Sequence, residues 1–163
     1  MIGGAASAEF PRVRVMDDAV LDLFVSGRVK SATFRALAER LERSDVIVHV
    51  EPSPRGSRSD VAGTLRFVAT AGGYRYLRIT IAAHLPRNRA VAMLGHELQH
   101  ALEVADDPSV VDLAAFESLY RRIGDRCDGA GRLRRFDTEA ARKVERRIAR
   151  ELREPAGGDL ARR

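Results

Sequence analysis

Val91-Ala92-Met93-Leu94-Gly95-His96-Glu97-Leu98-Gln99-His100-Ala101-Leu102-Glu103-Val104 is the stretch on which the fold turns. Inside it sits His96-Glu97-Leu98-Gln99-His100, an HExxH pattern. On a helix, residues four apart stack one turn apart on one face, so His96 and His100 can aim two imidazole nitrogens at one divalent metal ion. Glu97, beside the first histidine, is then positioned to hold and deprotonate a water at that metal. With four His and eleven Glu in 163 residues, chance supplies roughly 0.006 such patterns, too few to explain this one. The flanks agree with a helix. Pro86 and Asn88 precede the motif, with Asn88 as the expected N-cap. Residues 90–105 contain no proline and one glycine, and Val91, Leu94, Leu98, Ala101, Leu102 and Ala105 recur at helical spacing as a buried stripe.

LGHELQHAL resembles the active-site helix of the zincin metallopeptidases. The resemblance covers the motif and its helix, about a tenth of the chain. It implies a zinc-dependent hydrolase of peptide bonds, with His96 and His100 as zinc ligands and Glu97 as general base. The metzincin extension, HExxHxxGxxH, is absent: Glu103 stands at the glycine position and Asp106 at the third histidine. That leaves a gluzincin-like arrangement, in which the third ligand is a carboxylate from a later helix.

Four acids compete for that place. Glu117 falls on the apolar face of the following helix, about 40° from Leu113 and about 60° from Tyr120 at 100° per residue. A carboxylate there needs a metal, a cation or a hydrogen bond. The short connection at Asp106-Asp107 predicts antiparallel helices, which sets Glu117 opposite His96 and makes it the first choice. A salt bridge to one of the many arginines is its plainer explanation. Asp137 is the alternative, on the face of Val144 and Ile148, although a helix N-cap would also account for it. Glu139 reads as a first-turn dipole partner. Glu103 lies about 10 Å along the axis from His96, so a hydrogen bond to the far nitrogen of His100 suits it better than ligation. Tyr120, Tyr76 and His84 are candidate donors to a developing oxyanion, Tyr120 first among them.

Composition sets the frame. Apolar residues at 45% and charged residues at 31% are ordinary for a globular chain, and no apolar run is long enough to span a membrane. Two of the 28 basic residues, Lys30 and Lys143, are lysines, leaving 26 arginines, and the net charge is +5. The arginines are spread along the chain and interleaved with acids, which argues against a nucleic-acid surface. Cys127 is the single cysteine, so an intrachain disulfide and cysteine-based zinc binding are both excluded. The opening MIGGAASAEF lacks a charged segment and an apolar run of signal-peptide length. A cytoplasmic location is therefore the default expectation. Ala5-Ala6-Ser7-Ala8 resembles the end of a cleaved export signal, which would apply if the true start lay upstream.

In chain order, residues 1–11 are expected to be a flexible tail. Val20, Leu21 and Phe24 mark a first helix, with Asp17 and Asp18 near its start and Ser26-Gly27 as its break. Ser31 or Thr33 opens a second helix that buries Phe34, Leu37, Ala38 and Leu41. Val46–Val50 is a strand, and residues 52–60 (PSPRGSRSD) form a loop. Residues 61–70 and 74–83 are strands joined by Ala71-Gly72-Gly73, a hairpin signal. Arg75, Leu77, Ile79 and Ile81 share the face that packs on helices. A substrate peptide could add as a strand along residues 76–83 or 63–68. After the motif helix, Asp107 should cap and Pro108 begin a helix running to Ile123, with Gly124 ending it. Residues 125–135 are a glycine- and charge-rich loop. A last helix from near Asp137 buries Ala141, Val144, Ile148 and Leu152, and residues 155–163 are a tail.

The expected architecture is thus α+β and zincin-like. N-terminal helices lead to a small three-stranded, mostly antiparallel sheet, the HExxH helix and C-terminal helices, with residues 12–154 as one domain. Two other function classes remain. One is a metal-binding regulatory or structural module without turnover. The other is a basic nucleic-acid-binding protein in which the motif is incidental.

Overall fold

A computed structural model describes residues 10–54, 61–127 and 135–154. The chain is α+β. Its elements run β1 (Val13–Val15), α1 (Asp18–Lys30), α2 (Ala32–Glu42), β2 (Val46–Pro52), β3 (Gly63–Ala71), β4 (Tyr74–Ile81), α3 (Arg87–Ala105), α4 (Leu113–Ile123), β5 (Asp125–Cys127), β6 (Arg135–Asp137) and α5 (Glu139–Glu151). The calls on residues 1–9, 55–60 and 155–163 lie outside the described residues. No described helix is long and apolar enough to cross a membrane.

The main sheet has four strands, not three, in the order β1-β2-β4-β3. It is mixed: β1, β2 and β4 are parallel, and β3 alone is antiparallel. Two features hide this from the sequence. Strand β1 is three residues long, too short for a period-two signal. The hairpin places β3 on the far side of β4, so β2 meets β4 across a crossover and pairs with it in parallel. The hairpin itself is as expected. Gly72 and Gly73 carry φ of 57° and 81°, the two positive values that a two-residue turn of this kind requires.

One sheet face is apolar and meets the helices. Val46, Val48, Val50, Leu77, Ile79 and Ile81 are all 2% exposed or less and share a core with Phe34, Leu41, Leu94, Leu98 and Leu102. Arg75 lies on that same face and is 3% exposed. Its charge is met by Asp45 at 2.6 Å. Its remaining donors reach the carbonyls of Val104 (2.6 Å), Ala105 (3.2 Å) and Asp107 (2.7 Å). A cation on the last carbonyls of α3 satisfies groups that the helix cannot satisfy itself and complements its dipole. Arg75 thereby fixes the C-terminal end of the motif helix to the sheet.

Three helix boundaries differ from expectation. Helix α1 passes through Ser26-Gly27 and ends at Lys30, with Ser31 as its C-cap. Gly27 is there for contact rather than for a break, since a Cβ would come 2.8 Å from the Phe34 ring. Helix α3 starts after Pro86 without a side-chain cap, leaving Asn88 within its first turn. Helix α4 starts five residues later than expected. Asp107 binds the Ser109 N–H (3.0 Å) and hydroxyl (2.6 Å) in a local turn, and Asp112 is the cap, accepting from Ala115 N–H at 2.8 Å. Residues 125–127 and Arg135, expected as loop, and Asp137, expected at the start of the last helix, fall in a small antiparallel sheet that pairs 125–127 with 135–137; the intervening residues 128–134 are not described.

Helices α3 and α5 pack at Gly95, where a Cβ would overlap Ile148 Cδ1. This contact reverses the usual sign of a glycine-to-alanine change. In an exposed helix, alanine gains about 1 kcal/mol; overpacking a filled core costs about 1–3 kcal/mol. Gly95→Ala is therefore expected to lower the stability of the metal-free protein in urea unfolding. A variant as stable as wild type, or more so, would show that α5 does not seat against the motif helix here.

Candidate metal centre

Helix α3 presents both motif histidines on one buried face, with His96 8% and His100 5% exposed. Their Nε2 atoms are 3.1 Å apart. Each Nδ1 faces a carboxylate: His96 meets Glu145 of α5 at 3.0 Å, and His100 meets Glu103 at 2.8 Å. A carboxylate accepts, so each Nδ1 carries the proton and each Nε2 is left as a lone pair. The Glu103 contact matches the role expected for it. Thr138 completes that arm by donating its hydroxyl to the other oxygen of Glu103 at 2.6 Å.

A third acceptor faces the two imidazoles. Asp137 Oδ1 lies 3.3 Å from His96 Nε2 and 3.9 Å from His100 Nε2. It is buried and receives no hydrogen bond. Among the described residues, His96, His100 and Asp137 form a group able to hold a metal ion. The fit can be checked against bond lengths. Ligand atoms about 2.0–2.2 Å from a tetrahedral zinc stand about 3.3–3.6 Å apart, and the three separations here bracket that range. Two lone pairs and an anionic oxygen at such distances repel unless a cation lies between them.

Asp137 reaches this place because Thr138 takes the capping role, its hydroxyl accepting from Ala141 N–H at 3.1 Å. Pairing of Asp137 with Asp125 in the small sheet fixes its backbone, and Arg142 donates to Oδ2 at 3.3 Å. Glu117, the first choice from the sequence, stands outside the group. It is exposed and bound to Arg121 one turn on, at 3.1 Å. Leu113, which would place Glu117 on an apolar face, is itself 56% exposed; the buried side of α4 is Leu119 and Tyr120 with Phe116 partly buried, and Glu117 lies off it.

Glu97 is 5% exposed. Burial raises its carboxyl above the ordinary carboxylate value, and the neighbouring His100 and His96 only partly offset this. Its Oε1 lies against the first residue of β3, since a Cβ on Gly63 would come within 2.8 Å of it. Tyr120, expected as an oxyanion donor, is committed elsewhere: its hydroxyl donates to the His100 carbonyl at 2.8 Å, and its ring meets the His100 ring edge-on. Tyr76 pairs in register with Ile47, on the sheet face opposite α3, and His84 is exposed. None of the three presents an open donor at the centre. Glu145, Thr138 and Gly63 were missed. A glutamate among the charges of α5, a threonine before a helix and a glycine opening a strand give no signal without the tertiary contacts.

Of the two edges proposed for a substrate strand, residues 76–83 are excluded because β4 is paired on both sides, with β2 and with β3. Strand β3 ends the sheet and leaves one edge unpaired among the described strands. No protein-family model matches this chain, and comparison with curated proteins and with solved structures finds no similar protein.

Two outcomes follow from this geometry. In zinc titrations against a competing chelator, Asp137→Ala should weaken binding by at least about 10²-fold, while Glu117→Ala leaves it unchanged. The opposite ranking would return the third position to Glu117. Zinc binding should also weaken as pH falls, because protons compete for Nε2. Burial pulls the His96 value down, but the bond to Glu145 and the charges of Glu97, Asp137 and Glu145 outweigh it, and the net shift is upward from 6.5. The loss of zinc should therefore begin above pH 6.5; affinity constant from pH 8 down to pH 5 would contradict the assigned ligands.

Proposed function

We propose that this protein is a zinc-dependent metallopeptidase of the zincin kind, with His96, His100 and Asp137 as ligands and Glu97 as general base. The observation that carries the proposal is the convergence of three buried acceptors, without a donor among them, beside a buried glutamate of the same motif. Zinc bound there would polarise a scissile carbonyl and bring the pKa of a water in its open position to about 7. Glu97 would take a proton from the attacking water and pass it to the leaving nitrogen. Glu145 and Glu103 hold the imidazoles in the tautomer that leaves Nε2 free, and Thr138 holds Glu103. The free edge of β3, beginning against Glu97, offers a substrate peptide a strand to pair with.

The burial of Glu97 favours a second reading, a metal-binding module without turnover. One pair of measurements separates the two. Glu97→Gln should bind zinc as tightly as wild type and cleave casein or a mixed peptide library at least about 10²-fold more slowly. Wild-type hydrolysis surviving that change would reject Glu97 as the base. Stoichiometric zinc with no cleavage of any substrate by the wild type would leave the module.

A further inference from the structure

The outer face of the sheet, opposite the helices, carries three arginines and a histidine in one register: Arg14 of β1 pairs with His49 of β2, His49 with Arg78 of β4, and Arg78 with Arg66 of β3. Burial and the flanking Arg14 and Arg78 lower the His49 value, so the like charges set directly opposite one another are Arg78 and Arg66. Like charges directly opposite one another on a sheet are destabilising. The compensation present is slight: Glu51 reaches Arg78 at 3.5 Å. Arg66 is exposed, and no acid pairs with it among the described residues. The row ends at Arg66 on the unpaired edge, so the next position in it is the one a strand added to β3 would fill.

We infer that the substrate is a peptide bearing an acidic side chain at the position that pairs with Arg66. The inference rests on the metallopeptidase reading. It adds a substrate class and a place along the peptide. A residue opposite Arg66 on an added strand points to the same sheet face, with its Cβ about 4.5–5.5 Å away, within reach of the guanidinium. Gly63 lies against Glu97 and so marks the reacting bond. Arg66 is three positions further along β3, about 10 Å at 3.3–3.4 Å per residue. The acid therefore falls about three residues from the scissile bond, on the side that runs toward Ala71. An aspartate or glutamate there relieves the repulsion between Arg66 and Arg78.

A competing explanation is that Arg66 only guards the edge against pairing with other chains, as charged edge residues do. The two accounts differ in selectivity. In a peptide library, wild type should prefer Asp or Glu over Gln about three- to fivefold at one position, and the preference should shrink with added salt, as exposed ion pairs do. Arg66→Glu should reverse the preference toward Lys or Arg at that position. Unaltered selectivity in Arg66→Glu would overturn the inference while leaving peptide hydrolysis intact. If wild type cleaves nothing, the metallopeptidase reading fails separately. The zinc-loaded Glu97→Gln protein then decides by fluorescence anisotropy: equal binding of an acidic peptide and its amide counterpart overturns the inference, and acid-selective binding lost in Glu97→Gln/Arg66→Glu supports it.

Discussion

His96 Nε2, His100 Nε2 and Asp137 Oδ1 point at one another across 3.1, 3.3 and 3.9 Å, and each is an acceptor. Folding has brought together three electron-rich atoms in a buried place and given them no donor. Left alone, that arrangement costs free energy, because desolvated acceptors lose their water hydrogen bonds and repel one another. A metal-free chain can relieve it by protonating an imidazole, which is the direction in which His96 is shifted. A divalent cation relieves it more completely. The proposed function starts from this local frustration: a cation that neutralises the three acceptors would also lie beside Glu97.

Much of the remaining structure holds those atoms in place. Arg75 fixes the end of α3 to the sheet through three carbonyls, and Gly95 lets α5 approach the motif helix closely enough for Glu145 to reach His96. Thr138 does two things with one hydroxyl: it caps α5 and steadies Glu103 behind His100. Asp137, its neighbour, is positioned by the same cap and by the small sheet. The place of Asp137 and the carboxylate bonds of both histidines thus depend on how the start of α5 meets the middle of α3.

How far the sequence discloses this varies with the range of the interaction. The motif helix, the helical stripe of α2, the glycine hairpin and the buried face of β4 follow from local periodicity and turn chemistry, and all appear in the structure. The contact between His100 and Glu103 follows from helix geometry, since residues three apart lie side by side on one face. The fourth strand was missed because three residues carry no pattern, and the parallel pairing because it depends on a crossover. Glu117 reads as a core-facing acid from its place beside Leu113, but Leu113 is exposed and the buried side of α4 is set by Leu119 and Tyr120, which the sequence pattern does not distinguish from it. Asp137 looked like a cap because caps are its commonest use; Thr138, one residue on, takes that role and frees it.

The central claim is that one cation sits among three named atoms, and anomalous scattering at the zinc edge from crystals grown with one equivalent of zinc tests it most directly. The account requires one peak per chain, about 2.0–2.2 Å from His96 Nε2, His100 Nε2 and a carboxylate oxygen of Asp137. A peak bound elsewhere, or no peak at a site whose imidazoles remain 3.1 Å apart, would contradict it.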